Sequence, residues 1–280
     1  MGIPNKQIGW SQESNLLWEV SSQLEKLTCV TCNIMGTSGT SGSSGTSGTN
    51  GAPGSIANLY YGSFIYNFIT ALTAAIPNPS STATIQVTST TGFPTSGYIK
   101  IGNEIIGHTG KTATSFTGII RGVGSSTASS HSIGSAVSQA QVTPANIASQ
   151  VLIDETELSN GVSLSGLGDI TIANPGTYNI QFSIQFENFG NDYDDVAVWF
   201  RLNGTAIPKT ASHSTVSQSH AGSPGALIMT VNIFYTCTGG EVFSLMWSND
   251  QGTAAITSIP STGSIPQSPG VILTVNKIGS

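Results

Sequence analysis

The sequence predicts a mainly β chain, a sandwich or jelly roll carried behind a short N-terminal helix and a collagen-like stalk. Three observations point there. After Tyr60, apolar and polar residues alternate over short segments, as in Tyr178, Ile180, Phe182, Ile184 and Phe186, and alternation of that kind marks a half-buried strand. Only 8% of the 280 residues are charged, and Ser, Thr, Gly and Asn take their place, where an ordinary domain carries about a quarter charged residues. Finally, glycine recurs at every third position through Gly36, Gly39, Gly42, Gly45, Gly48, Gly51 and Gly54.

Residues 1–35 read as an arm followed by a helix. Pro4 and Gly9 interrupt the first ten residues, Ser11 is placed to cap a helix, and Glu13 falls in its first turn, where a negative charge faces the positive end of the helix dipole. Leu17, Val20, Leu24 and Leu27 follow at the 3-4-3 spacing of a coiled-coil seam. Two heptads do not hold a coiled coil alone, so their use is to align chains ahead of the stalk. Trp10, Leu16 and Trp18 lie beside that seam and need a cover of their own, which a partner protein would supply.

Residues 36–54 form the stalk. A triple helix needs glycine at every third residue because only hydrogen fits at its axis, and at about 3.1 Å per residue the tract would span roughly 55 Å. Six triplets with the single proline Pro53 are marginal alone, so folding on either side must supply register. A duplicated Gly-Thr-Ser tract acting as a plain linker would keep the same period. Just before it, Cys29-Val-Thr-Cys32 is a lone CxxC pair; it suits an interchain disulfide knot or two small apolar residues better than a zinc site, which needs a second pair.

Beyond the stalk the strands follow one another. Val196, Val198, Phe200 and Leu202 repeat the alternation, as do Leu227, Met229, Val231 and Ile233, then Phe243, Leu245 and Trp247, and finally Val271, Leu273 and Val275. Turn signals such as Asn78-Pro79, Asn203-Gly204, Gly239-Gly240 and Pro269-Gly270 separate the segments. Leu59 to Ile76 is an uncharged run of 18 residues, but its Gly62, Asn67 and hydroxyls, with no basic flank, make it a buried strand and turn rather than a membrane span.

Composition also bounds the chemistry. A net charge of -6 with eight Lys and Arg argues against a nucleic-acid face. The N-terminal residues read neither as a secretory signal nor as a myristoylation motif. No GxSxG, HExxH, GxGxxG or P-loop pattern occurs, so no enzymatic activity and no cofactor are expected. Glu187, Asp192, Asp194 and Asp195 are the one acidic cluster and form the best calcium candidate, without EF-hand spacing. His213 and His220 are expected on one Ser-rich loop.

The segment from Asn174 through Pro-Gly-Thr-Tyr to Phe186 resembles the Gly-x-Tyr-x-Phe strand of the trimeric jelly rolls of tumour necrosis factor and the complement globular head. Residues 196–204, 242–250 and 269–275 fit the same order, and a collagen-like stalk before such a head is the complement-like architecture. The resemblance implies a homotrimeric head built from 55–79 and 143–280. Residues 80–142, with Ile99 and Ile101 on one face and Tyr98 and Lys100 on the other, resemble a small β module of bacteriophage fibre proteins, inserted after the first strand. The stretch from Lys6 to Glu19 resembles the leading segment of phage structural proteins. Together these imply a phage virion fibre, on capsid or tail, displayed at the virion surface. Residues 1–35 would dock on a capsid, portal or tail component. The head would meet a host-surface glycan or protein through its exposed loops, with His213, His220, Asp192 and Asp195 as candidate receptor contacts. A structural decoration of the virion, or an exosporium-type surface protein, is the alternative.

A triple helix distinguishes glycine from its neighbours. Gly45→Val should collapse the stalk's thermal transition, whereas Thr46→Val should leave it nearly unchanged, because the x position points outward. Circular dichroism melting of the two variants checks this; equal, small effects would reduce the tract to a linker.

Overall fold

The computed structural model describes residues 59–279. The predicted coiled coil, the Gly-x-y stalk and Cys29 and Cys32 lie outside the described residues.

The chain enters β1 (Tyr61–Tyr66) and passes through β2 (Ile69–Ala71), β3 (Ile85–Gln86), β4 (Gly97–Ile101), β5 (Glu104–His108), β6 (Gly110–Lys111), β7 (Ser115–Thr117) and β8 (Ala136–Val142). It continues through β9 (Ser149–Gln150), β10 (Glu155–Asn160), β11 (Val162–Ser165), β12 (Asp169–Ile172), β13 (Gly176–Asn188), β14 (Asp194–Leu202), β15 (Thr205–Ala206) and β16 (Ser212–Val216). The last elements are β17 (Gly225–Cys237), β18 (Glu241–Asn249), β19 (Ala254–Thr257) and β20 (Val271–Gly279).

Two antiparallel sheets enclose the main core. One runs β10-β1-β20-β13 with β17 on the far edge of β13; the other runs β11-β12-β18-β14 with β15 and β16 beyond. The pairing is nested: β1 meets β20, β12 meets β18, β13 meets β17 and β14 meets β16. Alternation decides which side chains face inward. Tyr178, Ile180, Phe182, Ile184 and Phe186 are all buried, as are Val196, Val198, Phe200, Phe243, Leu245 and Trp247 from the opposite sheet. Phe182 meets Phe200 at 5.6 Å between ring centroids, and Phe186 meets Trp247 at 5.8 Å, the tilted spacing that aromatic pairs prefer. The Asn203-Gly204 turn joins β14 to β15 with positive φ at both residues, 47° and 84°, as a two-residue hairpin requires.

A second core belongs to the inserted module. Leu72, Ile76, Ile85, Phe93, Ile99, Ile101, Phe116 and Val137 pack there, around the small sheet β3-β7-β6. The module therefore starts earlier than the expected residue 80, because β2 already pairs with β8. Nor is it a bead on a loop. One edge of β8 takes β4, and the other takes β2 and then β19, so the module's sheet continues into the head's. Tyr66 at the end of β1 reinforces this joint by donating to the Ala140 carbonyl at 3.1 Å. Among the described residues no helix is long and apolar enough to cross a membrane.

Glu104 organises the module's long 121–131 connection. Its carboxylate is fully buried and accepts from Arg121 Nε at 2.6 Å and Nη2 at 2.7 Å, pairs with His131 Nε2 at 2.7 Å, and accepts from the Ser129 and Gly122 amides at 3.0 and 3.2 Å. Burial opposes the charge, but Arg121, His131 and the Ser129 N–H outweigh it and hold the carboxyl at about 2, below its ordinary 4.5. A depressed carboxylate contributes stability that is complete above about pH 4.5 and is lost as pH falls through 2. Glu104→Gln should cost roughly 3–5 kcal/mol by leaving Arg121 buried without its counter-charge. It should also flatten the loss of stability on the acid side, measured by thermal unfolding at neutral and acidic pH.

Candidate functional site at the junction of module and head

The module is locked to the head by charge as well as by the sheet. Lys100 lies on the face of β4 that turns away from Ile99 and Ile101, and its Nζ pairs with Glu187 Oε2 on β13. The side chains are 9% and 12% exposed. Thr257 Oγ1 donates to the same carboxylate oxygen at 2.5 Å, and the Lys100 Nζ stands 6.0 Å from the centre of the Phe189 ring. Glu187 is therefore an ion-pair partner rather than a cation ligand.

Asp194 departs from its expected role for a related reason. It opens β14 fully buried, and its two oxygens accept from the amides of Asp250, Gln251, Thr253 and Ala254 at 3.2, 3.1, 2.8 and 2.7 Å, and from the Thr253 hydroxyl at 2.9 Å. A carboxylate saturated with N–H donors clamps a loop and has no lone pairs left for calcium. Asp195 is exposed on the neighbouring position and accepts from Thr215 Oγ1 at 2.5 Å, while Asp192 accepts from the Tyr193 amide at 2.8 Å. The four acids do not converge, and among the described residues no group of three or more His, Cys, Asp and Glu is placed to hold a metal.

The two histidines separate as well. His213 is exposed within β16, opposite Ala197, and only His220 lies on a loop. There it closes a tight turn with Ser223, the two backbones exchanging hydrogen bonds at 2.8 and 2.9 Å. The corners of that turn are Ala221 and Gly222, at φ 50° and 80°. Positive φ at both corners suits Asn-Gly or Gly-Gly; an alanine there carries strain of order 1 kcal/mol.

This turn forms one wall of a cleft of about 510 Å³ between module and head. The module side is lined by Ser125, Ser126, Thr127 and Ser129, and Ser125 also sits at positive φ, 64°. Across the gap, Asn103 at the tip of the β4–β5 hairpin donates its Nδ2 to the Gly222 carbonyl at 2.7 Å. Asn191, Ser219 and Phe189 complete the head side, and no charged side chain lines the cleft. A smaller recess of about 350 Å³ includes Lys100 and His131, whose partners are Glu187 and Glu104. Sequence reasoning missed the larger cleft. Its walls come together only through residues far apart in the chain, as Asn103 and Gly222 do at a separation of 119 positions.

The Lys100–Glu187 pair can be tested by a double-mutant cycle. Lys100→Met or Glu187→Leu alone should destabilise by roughly 3–5 kcal/mol, since each strands a buried group, and combining the two should recover most of that loss. Thermal unfolding of the three variants checks it; an additive double variant would mean the pair does not act as a unit.

Comparison with known proteins gives no match to any family model and none to a curated sequence.

Proposed function

We propose that the chain is the subunit of a homotrimeric bacteriophage virion fibre whose head is a jelly roll that attaches the particle to the host surface. Residues 1–35 anchor it to the virion and residues 36–54 extend it. The reading has no catalytic step.

The observation that carries the trimer is the outward face of the β17-β13-β20 sheet. Cross-strand rows there run Ile228–Gln185, Thr230–Ser183–Ile272, Asn232–Gln181–Thr274, Phe234–Asn179–Asn276 and Thr236–Thr177, and the one charge on that face of β13, Glu187 opposite Ala226, is paired with Lys100. Ile228 is 64% exposed and Phe234 66%. Among the described residues β17 pairs only with β13, leaving a 13-residue edge that carries neither charge nor proline. Monomers blunt such edges or cover them, and depletion of charge is what marks the core of an interface. The occupants fitting both this face and a Gly-x-y tract are two further copies of the chain. Nested pairing of eight strands in two sheets is the jelly-roll winding, which supports the likeness to trimeric heads drawn from the Asn174–Phe186 strand. Virion attachment rests on the resemblance of residues 6–19 and of the inserted module to phage structural proteins.

Light scattering of the purified chain should give a trimer mass. Phe234→Asp, at a site so exposed that a monomer would tolerate it within about 0.5 kcal/mol, should loosen the head trimer without unfolding it. The trimer should also compete with particles for adsorption to host cells. A monomer mass would remove the trimer, and normal adsorption at saturating trimer would favour structural decoration.

A further inference from the structure

The cleft between the module and the head has the chemistry of a saccharide site, and we propose that it binds an uncharged glycan; this rests on the attachment reading and names the ligand class for it. The lining is rich in groups that both donate and accept. Ser125, Thr127 and Ser219 bring hydroxyls, and Asn103 and Asn191 bring amides. Neutral sugars present the same mixture of donors and acceptors, together with an apolar ring face. Phe189, on the head side, is 7% exposed and adds a small apolar patch to the lining. The volume of about 510 Å³ falls within the roughly 300–1,000 Å³ of small-molecule sites.

Charge narrows the class. Sialylated or phosphorylated glycans call for Arg or Lys forks, and none lines the cleft. The nearby cations are already committed: Lys100 to Glu187, and Arg121 to Glu104. A peptide would seek a free strand edge or apolar pockets, whereas this site is walled by turns.

Backbone strain supplies a second, independent observation. Five described non-glycine residues hold positive φ, and two of them, Ser125 and Ala221, face each other across this one cleft. Strained residues persist where surrounding structure over-determines them, and they gather at ligand sites. Here the overdetermination is visible. The Asn103–Gly222 bond ties the two walls together, the Ser126 hydroxyl bonds the Ile105 amide at 2.9 Å beneath one wall, and the His220–Ser223 exchange closes the other. The walls are therefore preorganised, which lowers the entropic cost of binding a flexible sugar.

The test uses the full-length chain with maltotriose, lactose and chitotriose as neutral probes, and sialyllactose and glycerol phosphate as charged ones. Saturation-transfer NMR should show at least one neutral probe bound and the charged probes unbound. Thr127→Trp, an exposed position where the indole fills the cleft, should abolish the transfer. Asn191→Ala, which keeps the cleft open and serves if the first variant misfolds, should weaken binding by roughly three- to tenfold through one lost hydrogen bond. The inference is overturned if no neutral probe binds, if charged probes bind more tightly, or if neither variant changes the transfer. Adsorption competition separates the two readings. A Thr127→Trp chain that still competes as wild type sinks the cleft and leaves attachment standing. A wild-type chain that binds sugar but never competes keeps the cleft and sinks attachment.

Discussion

The register of β13 is the constraint on which the other contacts depend. Along its 13 residues it pairs fully with β17 on one edge and with β20 and then β19 on the other. Because side chains alternate, a shift of one residue would exchange the two faces of the sheet. The aromatic core would be turned to solvent, and the uncharged outer rows would be driven against Phe200 and Trp247. The same register sets Glu187 opposite Ala255, within reach of Lys100 and Thr257. Head core, outer face and module joint are thus three readings of one alignment.

Buried acids then fix what strand pairing leaves loose. Asp194 gathers four consecutive-region amides at the β18–β19 connection, and Glu104 gathers the 121–131 connection around Arg121 and His131. Asn188 extends the first of these, accepting from Gly190 N and Thr253 Oγ1 at 2.8 Å each. A buried carboxylate is costly unless its lone pairs are filled. Both are filled by groups from segments that lack strand partners of their own, so the cost of burial is offset by ordering a loop. Both anchored segments approach the cleft, which explains how walls made of turns and serines hold a fixed shape.

Strands of the head were legible because period-two alternation is local: the inward set from Tyr178 to Phe186 is read from nine adjacent positions. What lay hidden depends on pairs distant in the chain. Lys100 and Glu187 are 87 positions apart, and Glu187 beside Asp192 and Asp194 reads as an oxygen cluster until that lysine is seen. Asp194 misleads similarly, since its partners are backbone amides some sixty residues away that any sequence would supply. The module's start was displaced because β2 is three residues long and pairs with β8, far ahead in the chain. His213 and His220 share a Ser-rich stretch whose first part pairs with β14 and whose second part does not, a division that composition does not reveal.

Low charge connects these features to the proposed role. Of the six basic residues among those described, five are engaged internally: Lys100 with Glu187, Arg121 with Glu104, Lys111 with the Thr90 and Phe93 carbonyls, Arg201 with Ser244 and Gln150, and Lys277 over the Tyr60 ring. Most of the positive charge is thereby spent inside the fold. The charge left exposed is therefore mainly acidic, in keeping with the net charge of -6, and the surface carries no basic patch with which to steer an acidic partner. Recognition must come from short-range hydrogen bonds and shape, which are individually weak against water. In the fibre reading, weakness at one site is corrected by number: three heads on one stalk, and many stalks on one particle, convert millimolar contacts into durable attachment. In that reading each contact must also release easily enough for the particle to search before it is held.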